Sequence, residues 1–272
     1  MFNNNPIGML DTGVGGLTVL KEALKQLPNE TFYYLGDTER CPYGPRPVKQ
    51  IKEFTWDMVN YLVDKGVKMI VIACNTATAV ALEDIRKELT IPVVGVIYPG
   101  ARAAIKSTKN NRVGVIGTIG TINSEQYELA INTKSLKTDV FGLACPKFVP
   151  VVESMEYHSP IAKKVVHNTL KPLKEKNVDT LVLGCTHYPL LREFIQSEMG
   201  EDVILIDSGA ETVSDVSMLL DYYNISAEPT NETRTHQFYM TGSKRMFEEI
   251  LNDWLTVEKY GIHRVSITKG NE

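Results

Sequence analysis

The sequence predicts an α/β protein made of two similar, doubly wound units with mostly parallel sheets, meeting at a cleft. Three observations carry this. Short, continuously apolar runs alternate with stretches of helical periodicity, the pattern of strands buried on both faces between helices. Polar residues collect at the carboxyl ends of those runs, where open α/β sheets bind ligands. A faint internal echo links the two halves. Val71-Ile72-Ala73-Cys74-Asn75-Thr76 resembles Val182-Leu183-Gly184-Cys185-Thr186-His187, and Ile7 to Gly13 resembles Ile204 to Gly209.

The strands are expected at 7–10, 32–35, 69–73, 93–96, 113–116, 181–183 and 203–206. They end at Asp11, Asp37, Cys74, Thr118, Cys185 and Asp207 among others. A helix is expected from Pro47 to Asp64, because Ile51, Phe54, Met58, Tyr61 and Leu62 share one face. Pro47 suits its first turn, and Gly66 suits the position just past its end. Helices over 77–89 and 189–199 follow the two cysteine strands directly. Ser159-Pro160 reads as an N-cap and first helical residue, and Pro172 should end or kink that helix.

Composition narrows the class. The chain has 272 residues, 43% hydrophobic and 23% charged, with a net charge of −4, as expected of a globular protein with a full core. No basic patch with interleaved aromatics speaks for nucleic acid. No apolar run reaches membrane-spanning length, and the N-terminus lacks the pattern of a signal peptide. A cytoplasmic location is therefore expected. The four cysteines, Cys41, Cys74, Cys145 and Cys185, form no CxxC pair and no zinc-spaced cluster, so reduced thiols and no metal site are expected.

Two thiols at the ends of echoed strands suit one chemistry. Inverting an amino-acid stereocentre needs a proton removed from one face and returned to the other. Two acid/base groups on opposite walls can do this, best with pKa values near working pH. A thiol is near enough, and a strand-to-helix junction can lower its pKa. The same helix N-termini can hold a substrate carboxylate and stabilise a carbanion-like transition state. Asp11 could orient Cys74 or take a proton from the substrate ammonium. His187 could ionise or polarise Cys185, and Glu153 could act from a loop.

Each residue also has a plainer reading. Free cysteines mostly pack inertly, and Cys41 and Cys145, without matched partners, are expected to pack or to be incidentally exposed. Asp11 could cap the following helix, His187 could be a satisfied core histidine, and Glu153 could be a helix-start carboxylate. Tyr43-Gly44 between two prolines reads as a turn. Gly13-Val14-Gly15-Gly16 lacks the Lys-Ser/Thr ending of a phosphate loop. Asp11-Thr12-Gly13 does not mark an aspartic protease, which is all-β.

In these motifs the chain resembles the bacterial glutamate racemases of the aspartate/glutamate racemase superfamily. The resemblance lies in LDTGVGGLTVL (10–20), YLGD (34–37), CPYG (41–44), ACNTATA (73–79), GTIGT (117–121), CPKFVPVVE (145–153), GCTHYPLL (184–191) and IDSGAETV (206–213). It implies two α/β domains with the active site between them, here expected as 1–97 plus 208–272 and 98–207. It implies Cys74 and Cys185 as the acid/base pair, assisted by Asp11, His187 and Glu153, with no cofactor. Asp11, Thr12, Pro42, Tyr43, Gly44, Asn75, Thr76, Thr118, Thr121, Thr186 and His187 would meet L- or D-glutamate. The implied role is supply of D-glutamate for peptidoglycan, and a homodimer is expected. Where the family usually has Asp-Ser-Gly, this chain has Asp11-Thr12-Gly13, which keeps the hydroxyl and adds a methyl. The alternatives are a relative acting on aspartate, a non-catalytic binding protein on the same scaffold, and a thiol redox protein.

Overall fold

The computed structural model describes residues 2–267. Met1 and 268–272, parts of the first expected domain, lie outside the described residues. In chain order the strands are β1 (Ile7–Asp11), β2 (Phe32–Gly36), β3 (Met69–Ile72), β4 (Val93–Gly95), β5 (Arg112–Gly117), β6 (Asp139–Ala144), β7 (Thr180–Gly184), β8 (Ile204–Asp207), β9 (His236–Met240) and β10 (Tyr260–Arg264). The helices are α1 (Leu17–Gln26), α2 (Val48–Asp64), α3 (Asn75–Glu88), α4 (Ile97–Ser107), α5 (Ile119–Asn123), α6 (Gln126–Asn132), α7 (Phe148–Glu153), α8 (Pro160–Lys174), α9 (Arg192–Met199), α10 (Ser208–Tyr222) and α11 (Lys244–Trp254).

Among the described residues the strands form two sheets, ordered β10-β9-β2-β1-β3-β4 and β6-β5-β7-β8, with every pairing parallel. The order β2-β1-β3-β4 repeats as β6-β5-β7-β8. Cys74 and Cys185 therefore follow the third strand of each repeat. That confirms the first sequence echo and corrects the second. Ile7 to Gly13 lies on the first strand of its unit and Ile204 to Gly209 on the fourth of the other. Both pair an apolar strand with a polar turn, which is why they look alike.

Side-chain alternation places the core. In β3, Met69 and Val71 point into a large cluster shared with β7 residues Leu181 and Leu183, while Ile70 and Ile72 point into a second cluster over α2 and α3. Val182 faces a third cluster with Val113, Val115 and Tyr127. Each such aliphatic side chain, once fully buried, contributes roughly 1.5–3 kcal/mol. The sheets are joined through α4 and α10, which Arg102 and Asp215 bridge with an Nη1–Oδ2 contact of 3.1 Å.

Local signals explain most helix bounds. Ser159 Oγ accepts from Ala162 N–H at 3.2 Å and starts α8. Gly66, at φ +76°, follows α2 with the positive φ that glycine tolerates best. Pro172 does not end α8, which runs on to Lys174. The carbonyl that Pro172 cannot serve belongs to exposed Asn168, where water can replace the lost donor. The expected 189–199 helix is a 3₁₀ turn, Tyr188–Leu191, followed by α9.

Candidate active site

The carboxyl ends of β3 and β7 bring both echoed cysteines to one small cavity. Its walls include Thr12, Cys41, Pro42, Tyr43, Gly44, Cys74, Asn75, Thr76, Thr118, Cys185, Thr186 and His187. Its free volume is about 30 Å³, room for a water or two. Asp11, Glu153 and Thr121 stand behind this wall and touch it through hydrogen bonds. Every residue that the resemblance assigns to the site is thus at the wall or one contact away.

Cys74 caps α3, with its Sγ accepting from Ala77 N–H at 3.4 Å. Burial pushes its thiol up to about 12; nearby Asp11 adds to the rise, and the Ala77 N–H and Thr12 hydroxyl oppose it. Asp11 is fully buried, and burial raises its carboxyl pKa against the pull of His187. It does not cap α1, whose N-cap is Gly16. Asp11 Oδ1 instead accepts from Gly13 N–H at 3.0 Å, and Thr186 Oγ1 donates to Oδ2 at 3.4 Å. The Asp11 turn and the Cys185 loop are therefore bonded to each other. Thr18 Oγ1 adds a second tie, to Thr186 O at 2.8 Å. Gly15 permits the approach, since a Cβ there would lie 2.3 Å from Thr186 Oγ1 and 2.5 Å from His187 Nδ1. The Gly-rich run serves close packing.

Cys185 has different company. Its Sγ lies 3.8 Å from His187 Nδ1, and His187 Nε2 lies 3.1 Å from Glu153 Oε1. Burial alone would lower the imidazole pKa, but bonds to Cys185 and Glu153 and their negative charge lift it to about 10. Burial would raise the Glu153 carboxyl, yet His187 and Cys41 hold it below its ordinary value. Glu153 ends α7, so the helix-start reading is wrong. A carboxylate at a helix C-terminus gains nothing from the dipole; the His187 contact holds it there.

The other wall is hydroxylic. Thr76 Oγ1 lies 2.8 Å from Thr118 Oγ1 and 3.2 Å from Thr121 Oγ1, and the last two are 3.1 Å apart. Thr76 comes from α3 and its partners from the start of α5, so this triangle also joins the two repeats. Gly120 N–H donates to Gly44 O at 3.0 Å beside it. Tyr43 is buried, and its hydroxyl donates to Asp37, which also accepts from Thr241 Oγ1 at 2.8 Å and Arg40 Nε at 2.6 Å. Asp37 thus braces the loop from behind. Asp207 caps α10 through Gly209 and Ala210 N–H at 2.9 and 3.2 Å.

Cys145 packs in the core, as expected, with Sγ 3.6 Å from Leu143 O. Cys41 does not. It lines the cavity, and its thiol donates to Glu153 Oε1 at 3.6 Å. Its place beside Tyr43-Gly44 was the available signal. Val149, on α7, also lines the wall and carried no signal, being an apolar residue in an apolar run.

Comparisons with known proteins place the chain in a family. Residues 11–216 match the family model described as Asp/Glu/Hydantoin racemase. A glutamate racemase of Enterococcus faecalis is 61% identical over 272 residues, covering 100% of this chain and 99% of that protein. One from Listeria monocytogenes is 56% identical over 263 residues, covering 97% and 98%. The crystal structure of a Bacillus anthracis glutamate racemase isoform superposes with a TM-score of 0.93 at 45% identity, covering 97% of this chain and 98% of that one. That of Francisella tularensis glutamate racemase in complex with D-glutamate gives 0.89 at 36% identity, with the same coverage. The chain belongs to the Asp/Glu/Hydantoin racemase family, among its glutamate racemases.

Proposed function

We propose that the protein interconverts L- and D-glutamate without a cofactor, by moving the α-proton between Cys74 and Cys185. The observation that carries this is the shared cavity: two unpaired thiols, each ending the third strand of its repeat, on the walls of one small space.

One cysteine, as thiolate, takes the α-proton and becomes a thiol. The electron pair left on the α-carbon delocalises into the adjacent carboxylate. The other cysteine, as thiol, gives its proton to the opposite face and becomes a thiolate. The enzyme is left with its charge on the other sulfur, and solvent exchange resets it. Protonated His187 stabilises a thiolate at Cys185. On the other side, the Ala77 N–H and the Thr12 hydroxyl are the donors that would hold a thiolate at Cys74, against the burial that favours its thiol. Hydroxyls and backbone N–H groups at the starts of α3 and α5 bind the substrate carboxylates. Asp11, behind the wall, orients the Cys185 loop through Thr186.

The two units are assigned to 1–97 plus 208–272 and 98–207, with α4 and α10 as the crossings. We place the protein in the cytoplasm as a homodimer supplying D-glutamate for peptidoglycan. No helix of the described residues is long and apolar enough to cross a membrane.

The test is circular dichroism of L-glutamate incubated with purified protein and no added cofactor, run beside L-aspartate. Decay of the glutamate signal to zero is expected. An unchanged glutamate signal, or decay of aspartate alone, overturns the reading.

A further inference from the structure

We propose that Tyr127 is a positioning residue for Asn75, fixing the side-chain amide so that its NH₂ group faces the substrate. This rests on the function proposed above and adds a residue outside the cavity wall to it.

Asn75 opens α3 beside Cys74 and is 3% exposed. Its Oδ1 accepts from Tyr127 Oη at 2.6 Å, while its Nδ2 is buried and has no hydrogen-bond partner among the described residues. Leaving such a donor unmet is costly, so a partner on the cavity side accounts for its being there. An amide can turn end for end and offer either its oxygen or its nitrogen. A phenol that donates settles the choice, because only Oδ1 can accept. The Nδ2 donors are then left for a carboxylate.

Tyr127 is well placed to enforce this. It lies on α6, in the unit of the second sheet, 52 positions from Asn75. It is 3% exposed and belongs to the third core cluster, with Val115, Val182 and Ile206. One ring edge rests on Gly184, where a Cβ would approach Tyr127 Cε2 to 3.2 Å. Gly184 directly precedes Cys185, so the ring that orients Asn75 also packs under the second thiol. Burial raises the phenol pKa, so the hydroxyl keeps the proton it donates to Asn75, while Ser208 is a second hydrogen-bond partner of the phenol.

Tyr127→Phe removes the hydroxyl and keeps the ring. We expect KM for L-glutamate to rise about tenfold with kcat within about threefold, the signature of lost ground-state binding. In the Asn75→Ala background the same change should have no further effect on kcat/KM, because the group it orients is gone. A merely structural role for the phenol predicts equal losses in both backgrounds, and that result would overturn the proposal. In the free protein, the Asn75 side-chain amide should give one sharp pair of NMR signals in the wild type and a doubled or broadened pair in Tyr127→Phe. A single sharp pair in both would also overturn it. Turnover of glutamate by the wild type is read separately. Its absence would sink the proposed function, while the amide signals would still decide what Tyr127 does.

Discussion

The walls around Cys74 and Cys185 occupy equivalent places in two repeats of one topology, yet they are electrostatic opposites. Cys74 sits with a buried carboxylate, Asp11, nearby, and burial holds its thiol up to about 12. Cys185 sits next to an imidazole that Glu153 and Cys185 itself lift to about 10. The repeat supplies position: third strand, carboxyl end, helix or turn to follow. The residues after each cysteine supply character. Asn75-Thr76 continue into a regular α-helix, whereas Thr186-His187 lead into a 3₁₀ turn that brings the ring back toward the sulfur. Two-base catalysis requires one thiolate and one thiol at a time, and the two walls present different neighbours to the two sulfurs.

The severest test removes either sulfur. Cys74→Ala and Cys185→Ala should each lower kcat/KM by at least about 10³-fold, since general acid–base groups contribute roughly 10²–10⁴, with unfolding midpoints close to wild type. Near-normal turnover in either variant would falsify the two-thiol account.

Next comes the charge on the Cys185 side. His187→Asn should lower kcat/KM by about 10²-fold. The loss must be equal from both enantiomers, because they have equal free energy. The asymmetry should appear in the α-deuterium isotope effect, which should grow for the enantiomer whose hydrogen faces Cys185. An isotope effect unchanged for both would erase the distinction between the walls.

A milder change is Glu153→Gln, which keeps the shape and removes the charge that helps lift His187. The raised imidazole pKa stabilises the folded state fully below about pH 6.5, its unfolded value, and this is lost as pH rises through about 10. Urea unfolding of the wild type should therefore show falling stability across that window, and a shallower fall in Glu153→Gln. Equal slopes would mean that Glu153 does not set the charge of His187.

The smallest effect is expected at Thr12. Its hydroxyl hydrogen-bonds to the Cys74 sulfur, and serine can do the same. Thr12→Ser should leave kcat/KM within about threefold, as expected of a change that keeps the transition-state contact.

The sequence made β1 to β5, β7 and β8 and the residues at their ends legible, because these strands are written as continuous apolar runs. It did not reveal β6, β9 and β10. The first is half-buried, with Asp139 exposed at its start, and the others carry His236, Gln237, His263 and Arg264 within them. β6 and β10 are edge strands, half in water, and lose the signature. At the site, Cys74 and Cys185 were readable as an echoed pair at strand ends. Cys41 carried only the signal of its place beside Tyr43-Gly44, and its contact with Glu153, 112 positions away, left no trace in the sequence. The reading of Glu153 as a helix start failed for the same reason: the residue that holds it, His187, is distant in sequence. Asp11 looked like a cap because its motif leads into a helix, but its carboxylate accepts from the Gly13 and Gly16 N–H groups of the turn before α1.

A crystal structure with glutamate bound tests the central claim most directly. The account predicts both sulfurs within about 4 Å of the α-carbon, on opposite faces, near the 3–3.5 Å separation of reacting atoms. A substrate α-carbon with both sulfurs on one side, or with one of them out of reach, would contradict it.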